Sequence, residues 1–261
     1  MIRRRKSRAV PVDLFGATVR GPAHVANGLP NQDAWLRART GNHCVVVVSD
    51  GLGSKPHADI GSRAACRAVV DAVRVWRRNP LAATEVLLGL IHLLWRARIA
   101  PRAQEDCACT CLFTVVGPDG EGVAAQLGDG LLAIHDGSSV SALSRREGDA
   151  FVNETTGLGL TTRLAAWRTA AVPAGSRCIL LCTDGVSDDL IPEKLPEFID
   201  WLGEDVRSKR EPHRRHFLAR ALRDWPTPKH LDDKTIAMAF IGQCSSTRKR
   251  GGGHPDARRR R

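Results

Sequence analysis

Tyrosine is absent from this chain of 261 residues, methionine occurs twice, and aromatic residues make up only 5%. The six Phe and six Trp do not interleave with the basic runs, so a stacking platform for single-stranded nucleic acid has little support. Long apolar runs are missing too. The longest stretch without Asp, Glu, Lys or Arg is Thr235–Thr247, 13 residues, against the roughly 20 that a spanning helix needs. The basic start Met1–Arg8 meets no apolar continuation of the kind a secretory leader carries. These absences predict a soluble, cytoplasmic protein with no membrane partner. With 43% hydrophobic residues the chain still has the means for a large core, which excludes collagen-like and wholly disordered classes.

The formal net charge is +11, but it is not spread along the chain. Residues 1–8 hold +5 and residues 245–261 hold +6, so the body between them is neutral. Two readings of these tails stand side by side: solvated, disordered ends, or electrostatic attraction to nucleic acid or another acidic partner. Eight cysteines raise the question of disulfides or zinc. Cys107, Cys109 and Cys111 alternate as on one face of a strand, Cys178 and Cys182 fall in an apolar run, and neither group has C-x-x-C spacing. They read as buried free thiols.

Hydrophobic periodicity gives a coarse order of elements. Strands are expected at Leu14–Val19, Cys44–Ser49, Cys107–Val116, Gly122–Leu127, Leu131–His135, Val140–Leu143, Cys178–Thr183 and Thr235–Ile241. The β-branched run at 44–49 predicts a strand buried on both faces. Helices are expected at Gly61–Trp76, along Leu87–Trp95, and near Pro196–Leu202 and Pro212–Asp224, while residues 145–175 read as a loop or flap. Strands and helices mix without regular alternation. That favours an α+β fold of antiparallel sheets covered by helices.

The most informative pattern is a set of aspartates at strand ends. Asp50-Gly51, Asp129-Gly130 and Asp184-Gly185 each follow an apolar strand, Asp33 closes Asn31-Gln32-Asp33, and Asp232-Asp233 precedes the last strand. Any one Asp-Gly pair is an ordinary turn former. Taken together, several carboxylates on one rim repel unless cations neutralise them, and hard oxygen ligands select Mg²⁺ or Mn²⁺. Two such ions about 3.5–4 Å apart can activate a water and clamp a phosphoryl oxygen. The chemistry this supports is phosphoester hydrolysis.

In order, Asp50-Gly51-Leu52-Gly53, Cys109-Thr110, Leu127-Gly128-Asp129-Gly130, Thr183-Asp184-Gly185 and Asp232-Asp233-Lys234-Thr235 resemble the motifs of the metal-dependent, type 2C protein phosphatases, in particular a bacterial branch. The likeness runs over roughly residues 13–242. It implies two antiparallel β-sheets in a sandwich flanked by helices on both sides. It also implies a phosphatase domain at 11–242, between a basic tail at 1–10 and a basic disordered tail at 243–261. By position, Asp50 would bridge two Mn²⁺ or Mg²⁺ ions and the Gly51 carbonyl would bind one of them. Asp184 and Asp232 would complete the second site, Asp129 would support a third and weaker one, and Asp33 would hold a water on the ions.

Three departures accompany the likeness. Arg20, the counterpart of a phosphate-binding Arg, is separated from Asp33 by an enlarged segment, so His24 is the candidate for the phosphate-facing and catalytic role. A surface histidine with no such role is the alternative. Gln32 stands where Glu is usual, and Leu52 where some members have a His general acid. Phe151–Thr155 also resembles a stretch of the bacterial branch. The expectation is a phosphatase acting on phosphoserine or phosphothreonine in a protein substrate, with a Ser/Thr kinase as a further partner. The alternative is a pseudophosphatase that binds a phosphoprotein or kinase without turnover.

Overall fold

The computed structural model describes residues 9–79, 81–143, 156–225 and 231–242. The basic runs at 1–8 and 243–261 and the Phe151–Thr155 stretch lie outside them. Ten strands form two five-stranded antiparallel sheets. One sheet joins β1 (Val12–Val19), β10 (Lys234–Ile241), β9 (Cys178–Cys182), β6 (Leu131–His135) and β7 (Val140–Ala142) in that spatial order. The other joins β2 (Ala34–Thr40), β3 (His43–Ser49), β4 (Cys111–Val116), β5 (Gly122–Leu127) and β8 (Arg168–Val172). Helices α2 (Ala58–Trp76) and α3 (Thr84–Ile99) cover the second sheet. Helices α5 (Leu195–Trp201) and α6 (His213–Arg223) cover the first. Two short helices, α1 (Pro22–Ala26) and α4 (Asp184–Ser187), follow β1 and β9. This is the α+β sandwich the sequence predicts.

Period-two side-chain alternation explains why the central strands are apolar throughout. In β3, Val45 and Val47 face α2 and α3 while Val46 and Val48 face the opposite sheet. In β9, Leu180 packs toward α5 and α6, and Ile179 and Leu181 pack into the layer between the sheets. The expectation of two buried faces holds. All seven cysteines among the described residues are free and buried, as expected; of the alternating three, Cys107 lies in a 3₁₀ turn, Cys109 in isolated bridges, and only Cys111 in a strand.

Other boundaries shift for physical reasons. Helix α2 begins at Ala58, three residues before Gly61, because His57 N–H bonds to Asp106 carbonyl and sets the first turn earlier. The stretch read as a loop contains β8, and β2 and α1 were not foreseen. No helix among the described residues is long and apolar enough to cross a membrane.

Strand register decides where the aspartates go. In the second sheet Ala34 pairs with Ser49 and Cys111 with Leu127. In the first, Cys182 faces both Leu131 and Ile236, and Val19 faces Lys234. The residues just beyond these pairs therefore share one rim. At the other end Val12 pairs with Ile241 and Gly242 N–H bonds to Pro11 carbonyl, 2.8 Å. The chain thus continues toward both basic segments from one point, about 25 Å along the strands from the acidic rim.

The rim is also held from the helix side. Trp95 on α3 is fully buried and its Nε1–H donates to Gly61 carbonyl at 3.1 Å. A Cβ at Gly61 would stand 1.8 Å from Cys107 carbonyl oxygen. Gly61→Ala is therefore expected to lower unfolding stability by about 1–3 kcal/mol, the usual scale of overpacking, measured by urea titration. An unchanged midpoint would refute the close approach of α2 to the 105–107 turn.

Candidate active site

The rim carries an open cleft of about 160 Å³ lined by Gln32, Asp50, Gly51, Leu52, Gly53, Thr110, Asp129, Asp184 and Asp232. Four of the sequence-selected aspartates and Gly51 are thus brought together. Asp33 lies behind this lining, 5% exposed, and His24 is not part of it.

Asp50 leaves β3 pinned to the start of β4. Its N–H donates to Thr110 Oγ1 at 2.9 Å, its carbonyl accepts from Thr110 N–H at 2.8 Å, and Ser49 Oγ donates to Thr110 carbonyl at 2.6 Å. Gly51 follows under compression, since a Cβ there would lie 2.6 Å from the Ala58 carbonyl group. Asp184 opens α4, and its Oδ1 accepts from Gly185 N–H at 2.7 Å. Asp129 sits between Gly128 and Gly130, both left-handed with φ of 92° and 88°, a conformation glycine adopts freely. Gln126 Nε2 donates to Gly130 carbonyl at 2.9 Å and Arg168 donates to Gly128 carbonyl at 2.6 Å, which fixes this turn. Asp232 is exposed.

Asp33 is held from the opposite sheet. Its Oδ2 accepts from Thr183 Oγ1 at 2.9 Å and from Thr235 Oγ1 at 2.7 Å, while its buried Oδ1 has no partner. Gln32 Oε1 is likewise buried and unpartnered. His24, on α1, has Nδ1 2.8 Å from Asp233 Oδ2, off the line of an ideal hydrogen bond. Arg20 turns away to donate to Leu29 carbonyl at 3.1 Å.

The electrostatics follow from this crowding. Burial lifts Asp33 to about 7, against the hydrogen bond from Thr235 and the adjacent Asp50 carboxyl, and the charge of Asp233 adds to the rise. Burial pushes Asp50 up as well, with Asp33 and Asp184 both repelling it. Asp184 is raised by burial, partly offset by its bond to Asp50, and by Asp129 and Asp232. Three carboxylates that resist ionising, two orphaned buried oxygens and a lining whose side-chain donors are oxygens form a donor set suited to hard divalent cations. His24, Asp232 and Asp233 also bring ligand atoms within 4.8 Å of one another. The thiols are a different matter. Burial raises Cys66, Cys109, Cys111 and Cys182 above the ordinary thiol range, so they remain protonated rather than nucleophilic.

Sequence reasoning selected the aspartates but assigned no role to Thr110, Thr183, Thr235 or Asp233. Each stands beside a selected motif residue, and that adjacency was the available signal.

A family model described as protein phosphatase 2C matches residues 20–225. No curated protein matches the sequence. Among solved structures, a C. elegans sex determining protein superposes with TM-score 0.62 at 17% identity, covering 88% of this chain and 64% of that one. This chain therefore spans less than two thirds of that protein. The serine/threonine phosphatase Stp1 from Staphylococcus aureus gives 0.61 at 14% identity, covering 93% of this chain and 100% of that one. The phosphatase domain with a regulatory-domain fragment of the Bacillus subtilis cell fate determinant SpoIIE gives 0.58 at 13%, covering 90% and 64%. At these identities the likeness is one of fold.

The raised carboxylates set a pH dependence for the metal-free protein. Carboxylates of the unfolded chain titrate near 4. Between that value and about 7 the unfolded chain releases protons that folded Asp33 keeps, so stability falls as pH rises and the loss is complete above 7. The melting midpoint of chelator-treated protein should be lower at pH 8 than at pH 5.5. Millimolar Mn²⁺ should raise it more at pH 8, and Asp50→Asn should flatten both trends. Equal midpoints at both pH values, with no response to Mn²⁺, would contradict the crowded carboxylate set.

Proposed function

Since this chain belongs to the protein phosphatase 2C family, we propose that residues 11–242 form a metal-dependent phosphatase acting on phosphoserine or phosphothreonine in protein substrates. The observation that carries this reading is the buried, mutually repelling Asp33, Asp50 and Asp184 set opening on an oxygen-lined cleft. Asp50, the Gly51 carbonyl, Asp184 and Asp232 would hold two Mn²⁺ or Mg²⁺ ions, and Asp129 would support a third. Bound divalent ions supply a lowered water pKa and charge neutralisation at the phosphoryl oxygens.

The chain's own residues do the rest. Asp33 keeps Oδ2 saturated by Thr183 and Thr235, so Oδ1 is the atom left to accept a hydrogen bond from the attacking water and orient it. The Asp50 backbone, fixed by Thr110, holds its carboxylate in place without rearrangement during the reaction. His24 takes the phosphate-facing role that Arg20, engaged with Leu29, does not fill. The protonated thiols leave direct attack by water as the supported route, with no phosphocysteine.

A second reading is favoured by two residues in the cleft itself. Gln32 removes a charge from the lining, and Leu52 supplies no proton for the leaving group. A pseudophosphatase would keep the ions and the phosphoprotein while failing to turn it over.

Hydrolysis of a phosphothreonine peptide with Mn²⁺ or Mg²⁺ tests both. The expected result is turnover that EDTA abolishes and that Asp184→Asn lowers about a hundredfold or more, with the far-ultraviolet circular dichroism unchanged. Absence of turnover alongside measurable Mn²⁺ and phosphopeptide binding would select the pseudophosphatase.

A further inference from the structure

The excursion between β1 and β2 carries α1, and a single buried carboxylate closes it at both ends. Asp233 Oδ1 accepts from Gly21 N–H at 2.7 Å, and Oδ2 accepts from Gln32 N–H at 2.6 Å. The same Oδ2 lies 2.8 Å from His24 Nδ1. Asp233 is 2% exposed. Its own carbonyl packs so tightly on the Asp184 turn that a Cβ at Gly185 would stand 1.9 Å away. Asp233 therefore sits in the joint between the 21–32 segment, the Asp184 turn and its neighbour Asp232, which lines the cleft.

We infer that Asp233 is a positioning residue, which anchors the 21–32 segment and holds the His24 ring by Nδ1 so that a phosphoryl oxygen at the cleft rim is met at Nε2. The inference rests on the reading of His24 as the phosphate contact. Asp233 differs from its neighbour in kind. Both of its oxygens are already taken by backbone donors, whereas the Asp232 side chain is exposed on the cleft. Asparagine could not do this work. Three nitrogen groups converge on the side chain, and an amide would turn its own NH₂ donor toward one of them, leaving a buried N–H without an acceptor. A carboxylate accepts on both sides.

The test uses the full chain, with Mn²⁺ and a phosphothreonine peptide, in four forms: unaltered, Asp233→Asn, His24→Ala and the double variant. If Asp233 acts through His24, each single change should raise KM about tenfold with kcat within about twofold, a loss of binding shared by ground and transition states. The double variant should then be no worse than His24→Ala. Penalties that multiply, or a fall in kcat as large as the rise in KM, overturn the inference.

A second measurement stands apart from turnover and from the folding of any Asp233 variant. Nitrogen-15 NMR of the histidine rings in the unaltered chain, with His24→Ala for assignment, should find the His24 proton on Nδ1. A neutral ring protonated at Nε2 alone overturns the inference. An unaltered chain without turnover, yet with the Nδ1 proton in place, removes the phosphatase reading and leaves Asp233 as the anchor of the segment.

Discussion

The two sheets are tied at the acidic rim by a buried carboxylate. Asp33 introduces β2 of one sheet, yet both hydroxyls that bond its Oδ2 come from the other, Thr183 after β9 and Thr235 in β10. Thr235 N–H in turn bonds to Thr183 Oγ1 at 3.1 Å, so the three residues form a closed polar link inside an apolar sandwich. A buried polar group is tolerable when its partners are complete. Here only one of the two carboxylate oxygens is satisfied. The half that is complete aligns the sheets, and the other is a buried oxygen without a donor. A second polar link runs beside it, from Asp233 to Gln32 N–H and from Gln32 carbonyl to Gly51 N–H, so the Asp232 and Asp50 sides of the rim are tied twice.

That arrangement sets stability against function. The carboxylates sit where burial and mutual repulsion disfavour their charged forms, and around them the backbone leaves little room to relax. Gly51, Gly61 and Gly185 each stand where an added methyl would collide with main-chain atoms. A rim that cannot spread keeps its repulsion. The core supplies the offset: three apolar layers, with β3, β4, β9 and β10 buried on both faces, supporting a strained edge.

How much of this could be read from the sequence depended on how locally each feature is determined. The valines of β3 and the run Cys178–Cys182 announce doubly buried strands, and Asp-Gly at their ends follows from the same local pattern, so the rim aspartates were legible. Strands β2 and β8 were not, and both are edges of the same sheet. Most of β2 is only partly buried, and it carries Arg37 and Arg39. These reach across to the carbonyls of Leu14 and Val12, so residues that look like surface charge cover the seam between the sheets. The 145–175 stretch hid β8 because its alanines give no periodicity. Asp233 was read among the aspartates, but its role was illegible for another reason. Its partners Gly21 and Gln32 lie more than 200 residues away, and only the fold brings them together.

Gln32 and Leu52 depart from the family pattern in ways that are not equivalent. A glutamate at position 32 would add another negative charge beside Asp33 and Asp50, in a region where like charges already raise both. The amide keeps a buried oxygen at the cleft while removing that charge, so it weakens repulsion and cation affinity together. Leu52 takes away one side chain that could protonate the leaving group, which leaves His24 or an ion-bound water for that role. A leaving alkoxide needs a proton, and an isobutyl group donates none. Under the proposed phosphatase reading, position 52 bears on whether a bound phosphoester is turned over, and position 32 on how firmly divalent ions would be held.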